Sequence, residues 1–147
     1  MKDFDETKPI MTTLGSNDSY MGPSGAGQVT KAVNQVLAGI AFKAIAEATQ
    51  LALSQCVDAQ KTPAALSGER ADSVLMQEFM GKMARRDFSP TGRLGNMLKD
   101  LNGAMELACT NGLTMPCLKT ATSVLESLTA RGPGAEDKAA LMRQFES

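Results

Sequence analysis

Histidine is absent from this sequence. With it goes every mechanism that needs an imidazole within the chain: Ser-His-Asp nucleophilic catalysis, a histidine general base and histidine-ligated zinc. Tryptophan is absent too, and aromatic residues make up only 4% of the chain, so Ala, Leu and Met must build the core. That set suits packed helices better than a β-sandwich. Neither sign of charge dominates. Fifteen Lys and Arg against sixteen Asp and Glu leave a formal net charge of −1, dispersed rather than gathered into the basic face that nucleic acid requires. The densest basic spot, Arg85-Arg86, reads as a solvated surface pair. The three cysteines, Cys56, Cys109 and Cys117, are odd in number and lack CxxC spacing, which argues against a disulfide framework or a metal site. They are expected as small buried thiols in a reducing cytoplasm. The opening MKDFDETKPIMTTLG is acidic and unlike a signal peptide. The longest uncharged apolar-rich run, 32–42, is too short to cross a bilayer. A soluble protein is expected, with neither nucleic acid nor membrane as partner.

What is present fits one domain: 147 residues, 43% apolar, enough for a real core. A short helix is predicted over 4–14, with an irregular first turn before Pro9 and Gly15 as its cap. Residues 16–18 read as a turn and 19–21 as a short strand. Such a helix–strand pair cannot bury itself and looks like the tail of a sheet. A glycine loop spans 22–27. From 28 to 55, Val29, Val33, Val36, Leu37, Ile40, Ala41, Ala44, Ala48, Leu51 and Ala52 recur at three- and four-residue steps. A helix of that length runs about 40 Å at 1.5 Å per residue, long enough to be the spine of the molecule. Further helices are predicted from Thr62 to Gly68, over 71–85, 94–111, 118–131 and 135–145. The loop DFSPTG separates the second and third of these, and Gly112 is a C-cap candidate. The fold class expected is all-α, a helical bundle around one long central helix.

Three constellations bear on chemistry. Gly22-Pro-Ser-Gly-Ala-Gly27 has the outer glycines of a phosphate loop, but Gln28 and Val29 follow where Lys and Ser/Thr are required, so a nucleotide-triphosphate site is not supported. Lys31 stands near a helix N-terminus, where the macrodipole disfavours a cation. Burial there would bring a lysine toward proton-transfer duty. Asn34 and Gln35 follow at three and four residues, on the same helix face. By residue chemistry alone this cluster is either a solvated polar face or a binding site. Lys99-Asp100, with Met97, Leu98 and Leu101 around it, reads more readily as surface charge.

MGPSGAGQVTKAVNQ, AEATQLA, DFSPTGRLGNMLKDL and a late GPGAED, in that order, resemble the C-terminal half of the β-hydroxyacid dehydrogenases. That family includes 3-hydroxyisobutyrate dehydrogenase and tartronate semialdehyde reductase and is related to 6-phosphogluconate dehydrogenase. The resemblance covers nearly the whole chain. It implies that Lys31 is the catalytic acid/base, that Asn34 and Gln35 bind substrate, and that Lys99 lies beside the nicotinamide of NAD or NADP, with Asp100 structural. The Asn-Gln pair looks like the tartronate semialdehyde reductase variant, where many relatives carry Asn-Asn. It also implies domain limits. Residues 1–21 are the tail of a Rossmann domain, 22–27 a hinge, and 28–147 the all-helical substrate and dimerisation domain. The dinucleotide site is then incomplete within these residues, which alone are expected to show no dehydrogenase activity. The competing reading is a non-catalytic helical dimerisation module, which has no need of Lys31. Imine-reductase-like relatives typically lack that lysine, so it speaks against them.

Overall fold

The structure, a computed structural model, describes residues 2–15 and 18–146. Among the described residues six α-helices follow one another: α1 (Lys2–Met11), α2 (Ala26–Ser54), α3 (Thr62–Ala65), α4 (Val74–Ala84), α5 (Leu94–Thr110) and α6 (Pro116–Ala130). A 3₁₀ turn, Pro133–Ala135, and a 3₁₀ helix, Lys138–Phe145, close the chain. The spine is α2, as periodicity predicts. It packs against α4, α5, α6 and the final 3₁₀ helix. Phe42, Ile45 and Ala46 form its buried face, against Phe79 and Met83 of α4, Met97 and Leu101 of α5, and Leu141 and Met142. Phe42 and Phe79 meet edge to face, ring centroids 4.7 Å apart.

Local chemistry sets the boundaries. Gly25 starts α2 at φ 94° and Gly22 lies at φ 127°, a backbone that other residues adopt only under strain. Ser73 caps α4 by accepting from the Met76 N–H at 3.2 Å, which starts that helix at 74 rather than 71. Pro116 occupies the first turn of α6, and Gly112, at φ 66°, ends α5. The helix from Thr62 lasts a single turn before the chain turns through Gly68 at φ 81°.

Three expectations are corrected and one is left untested. The predicted strand at 19–21 is not a strand, because no neighbouring strand offers its backbone a partner; the sole bridge among the described residues joins Arg93 and Asp137. Of the predicted turn at 16–18, Ser16 and Asn17 lie outside the described residues. The last helix is 3₁₀ and starts at 138, because Asp137 takes the Ala139 amide with its side chain and the Ala140 amide with its carbonyl at 2.9 Å. The three cysteines are exposed rather than buried: Cys56 lies just past the end of α2, and Cys109 and Cys117 flank the α5–α6 connection on outward helix faces. In addition, α2 is by length and composition long and apolar enough to cross a bilayer. Lys31 and Lys43 bound its charge-free run without ending its apolar character. Only 28% of its most apolar stretch is buried within the chain.

Candidate active site

The glycine turn delivers Lys31 to the second turn of α2. One turn on, Asn34 Nδ2 donates to Gln35 Oε1 at 3.2 Å. Gln35 Nε2 in turn donates to the Asp100 carboxylate on α5. This relay of amides ties the two helices together across 65 residues of sequence. One turn further along α2 the helices touch at Gly39, where a Cβ would stand 2.8 Å from the Leu101 methyls. A glycine is required there, and it fixes the spacing of α2 and α5.

On the side of that contact nearer the start of α2 lies a groove of about 380 Å³. Gln28, Val29, Lys31, Ala32 and Gln35 form one wall, and Lys99, Asp100, Gly103, Ala104 and Leu107 the other. The predicted residues Lys31, Gln35 and Lys99 are thus brought together, with Asp100 among them. Asn34 is outside the lining and reaches the groove only through Gln35. Both lysines are exposed, and among the described residues neither has an ion-pair partner. The groove thus carries two lysines and one amide-bound carboxylate, with an apolar end at Val29, Ala104 and Leu107. Among the described residues no three His, Cys, Asp or Glu side chains converge as a metal site would need.

The foundation beneath α5 is Asp137, fully buried. Its carboxylate accepts from the Thr91 N–H and hydroxyl, both at 2.8 Å, from Gly92 N–H at 3.1 Å and from Ala139 N–H at 3.1 Å. Lys82 Nζ lies 3.2 Å away and also donates to the Ser89 carbonyl at 2.5 Å. Burial would raise the Asp137 carboxyl, but the hydrogen bonds outweigh it and hold the group below the usual carboxylate range. The Phe88 carbonyl and the Leu94 amide complete the seam, bonded to Asp137 N–H at 3.1 Å and Glu136 O at 2.8 Å. The motifs DFSPTG and GPGAED are therefore two halves of one joint that sets the start of α5. Sequence reading quotes both but gives no sign that they meet, and it passes over Lys82.

A family model described as "NAD-binding of NADP-dependent 3-hydroxyisobutyrate dehydrogenase" matches residues 25–145. The chain belongs to the 3-hydroxyisobutyrate dehydrogenase family. Among relatives, 2-hydroxy-3-oxopropionate reductase of Escherichia coli is 29% identical over 143 residues, covering 97% of this chain and 49% of that protein. The 2-(hydroxymethyl)glutarate dehydrogenase of Eubacterium barkeri is 26% identical, covering 97% and 48%. The crystal structure of a 3-hydroxyisobutyrate dehydrogenase from Salmonella typhimurium superposes with a TM-score of 0.89 at 26% identity, covering 97% of this chain and 50% of that one. The chain spans about half the length of the curated relatives it matches. The all-helical fold expected from sequence is the fold of the matching half of that Salmonella typhimurium structure.

Proposed function

We propose that these residues form the substrate-handling part of an NAD(P)-dependent oxidoreductase acting on a CH–OH group, of the 3-hydroxyisobutyrate or tartronate semialdehyde type. The observation that carries this reading is the meeting of Lys31, Gln35, Lys99 and Asp100 on a single groove. The reaction is reversible conversion of a small 3-hydroxy acid to its semialdehyde. The nicotinamide cofactor, NAD or NADP, supplies the hydride chemistry when bound. Lys31 Nζ takes the hydroxyl proton in oxidation and returns it in reduction. Gln35, anchored by Asp100 and backed by Asn34, orients the acid, and Lys99 closes the opposite wall on the nicotinamide side. Residues 1–21 are read as the tail of a Rossmann domain, 22–27 as a hinge, and 28–147 as the helical substrate domain, so the 147 residues alone should turn over no hydroxy acid. The three exposed thiols suit a reducing compartment, and we place the protein in the cytoplasm.

The test begins with the intact mass of the protein its native cell makes, expected well above 15.5 kDa. That product is then assayed against small semialdehydes with NADH and NADPH. Lys31→Met should lower kcat by about a hundredfold or more with little change in cofactor KM. A near-normal kcat would sink the role of Lys31. Lys99→Ala should raise the cofactor KM, and an unchanged value removes it from the cofactor site.

The second reading, a dimerisation module, draws on the outer face of α2, where Val33, Leu37 and Leu51 are 54%, 67% and 66% exposed. Such a face is an interaction surface in soluble proteins. It is compatible with catalysis in an oligomer, and a native product of 15.5 kDa without turnover would favour it alone.

A further inference from the structure

The two oxygens of the Asp137 carboxylate have different partners. Oδ2 accepts three donors from the loop that enters α5: the Thr91 N–H and hydroxyl, both at 2.8 Å, and the Gly92 N–H at 3.1 Å. Oδ1 takes the Ala139 N–H at 3.1 Å, which caps the final 3₁₀ helix, and lies 3.2 Å from Lys82 Nζ. The loop is thus fastened to one oxygen, and the charge is balanced at the other. The grip continues into the helix. Leu94 N–H donates to the Glu136 carbonyl at 2.8 Å, and a Cβ on Gly95 would stand 3.1 Å from the Gly134 carbonyl oxygen. The gripping segment is itself braced, since Arg143 holds the Glu136 carboxylate at 2.7 and 2.9 Å.

Lys99 stands five residues beyond Leu94, about 7.5 Å along the helix axis. It is exposed and, among the described residues, has no ion-pair partner, so its place depends on where α5 puts its backbone. The buried stripe of Leu94, Met97, Leu101, Ala104 and Ala108 turns α5 toward the core. Apolar burial is non-directional, however, and tolerates a small slide along the axis. Hydrogen bonds weaken steeply with misalignment and do not. The directional bonds at the start of α5 therefore set its axial position. A shift of about 1 Å is enough to cost about a hundredfold where a group must meet a reacting centre.

We propose that Asp137 is a positioning residue for the oxidoreductase reaction: through Thr91 and Gly92 it sets where α5 presents Lys99 to the nicotinamide cofactor. This rests on Lys99 standing beside that cofactor, as proposed above. Asp137 is fully buried and acts only through the helix it fastens.

The test uses the enzyme as its native cell makes it, assayed with a small semialdehyde and its nicotinamide cofactor. The double variant Lys82→Met, Asp137→Ser keeps the charge balanced and leaves a hydroxyl to cap Ala139, but removes the oxygen that holds the loop. Its cofactor KM should rise about tenfold and its kcat fall, while the KM of the semialdehyde stays near the parent's. Met76→Ala, which opens a cavity in the core beneath α4, is the stability control. It should lower Tm at least as far and leave the cofactor KM unchanged. Thr91→Val removes only the hydroxyl donor, at an exposed position where folding is not at stake, and should raise the cofactor KM by a smaller factor. A parental cofactor KM in Thr91→Val and in the folded double variant overturns the proposal. So does an equal rise in Met76→Ala, which would make the effect one of stability alone. Lys99→Ala separates the two failures. If it raises the cofactor KM while the Asp137 and Thr91 variants do not, this inference alone falls. If it leaves the cofactor KM unchanged, the placement of Lys99 falls and takes the inference with it.

Discussion

Asp137 concentrates more consequence than any other side chain in the molecule. Its carboxylate is out of water, paired with Lys82 and saturated by four N–H or O–H donors from Thr91, Gly92 and Ala139. Removing one partner of a buried pair leaves the other charge uncompensated, at a cost of about 3–5 kcal/mol. Asp137→Ala should lose about that much in urea unfolding, and Asp137→Asn should not restore it, since an amide cannot balance Lys82. The pH dependence has a definite sign. The folded-state pKa is lowered, so the stabilisation is fully present above the ordinary carboxylate value near pH 4 and is lost as pH falls through the folded value. Unfolding free energy of the parent chain, measured stepwise from pH 6 downward, should decline through that window more than that of Asp137→Ala. Parallel curves would show that Asp137 does not carry the effect.

At the scale of elements, the contact of Gly39 with Leu101 joins the two walls of the groove. Leu101 is fully buried and has no room to withdraw, so Gly39→Ala should cost about 1–3 kcal/mol by overpacking. It should also disturb the Gln35–Asp100 bond next to it. Ser73→Ala removes the acceptor for the Met76 amide and should cost about 1 kcal/mol, read as a lowered urea midpoint with unchanged slope. The helices are legible in the sequence where periodicity and caps agree. The run of Val29 to Ala52 fixes α2, Pro63 marks a helix start and Gly112 an end, while α6 starts at Pro116, two residues before the predicted 118. Legibility fails where a side chain outcompetes the backbone pattern, as Ser73 and Asp137 do at 73 and 137. It fails again at 19–21, where among the described residues no strand lies alongside to pair with. One wall of the groove is partly legible too, because Lys31 and Gln35 stand four residues apart on one helix face. The arrival of Lys99 and Asp100 depends on packing between distant segments, and only resemblance points to it.

For the molecule as a whole, the outer face of α2 is the open question of packing, since the bundle covers only the inner one. A second copy is the proposed cover. Sedimentation velocity of the parent at tens of micromolar should give a species heavier than the monomer, and Leu37→Lys with Leu51→Lys should return it to the monomer; a parent that stays monomeric removes the proposal. The joint at Asp137 has a further consequence, one of timing. The loop that sets the start of α5 is clasped by a residue 46 positions downstream. During synthesis α2 leaves the ribosome before α5, its apolar length bare, and α5 follows without its anchor. The start of α5 gains this anchor only after Asp137 emerges, so a nascent chain that stops short of it holds every residue of the groove without that clasp. Such a chain exposes apolar surface that favours aggregation.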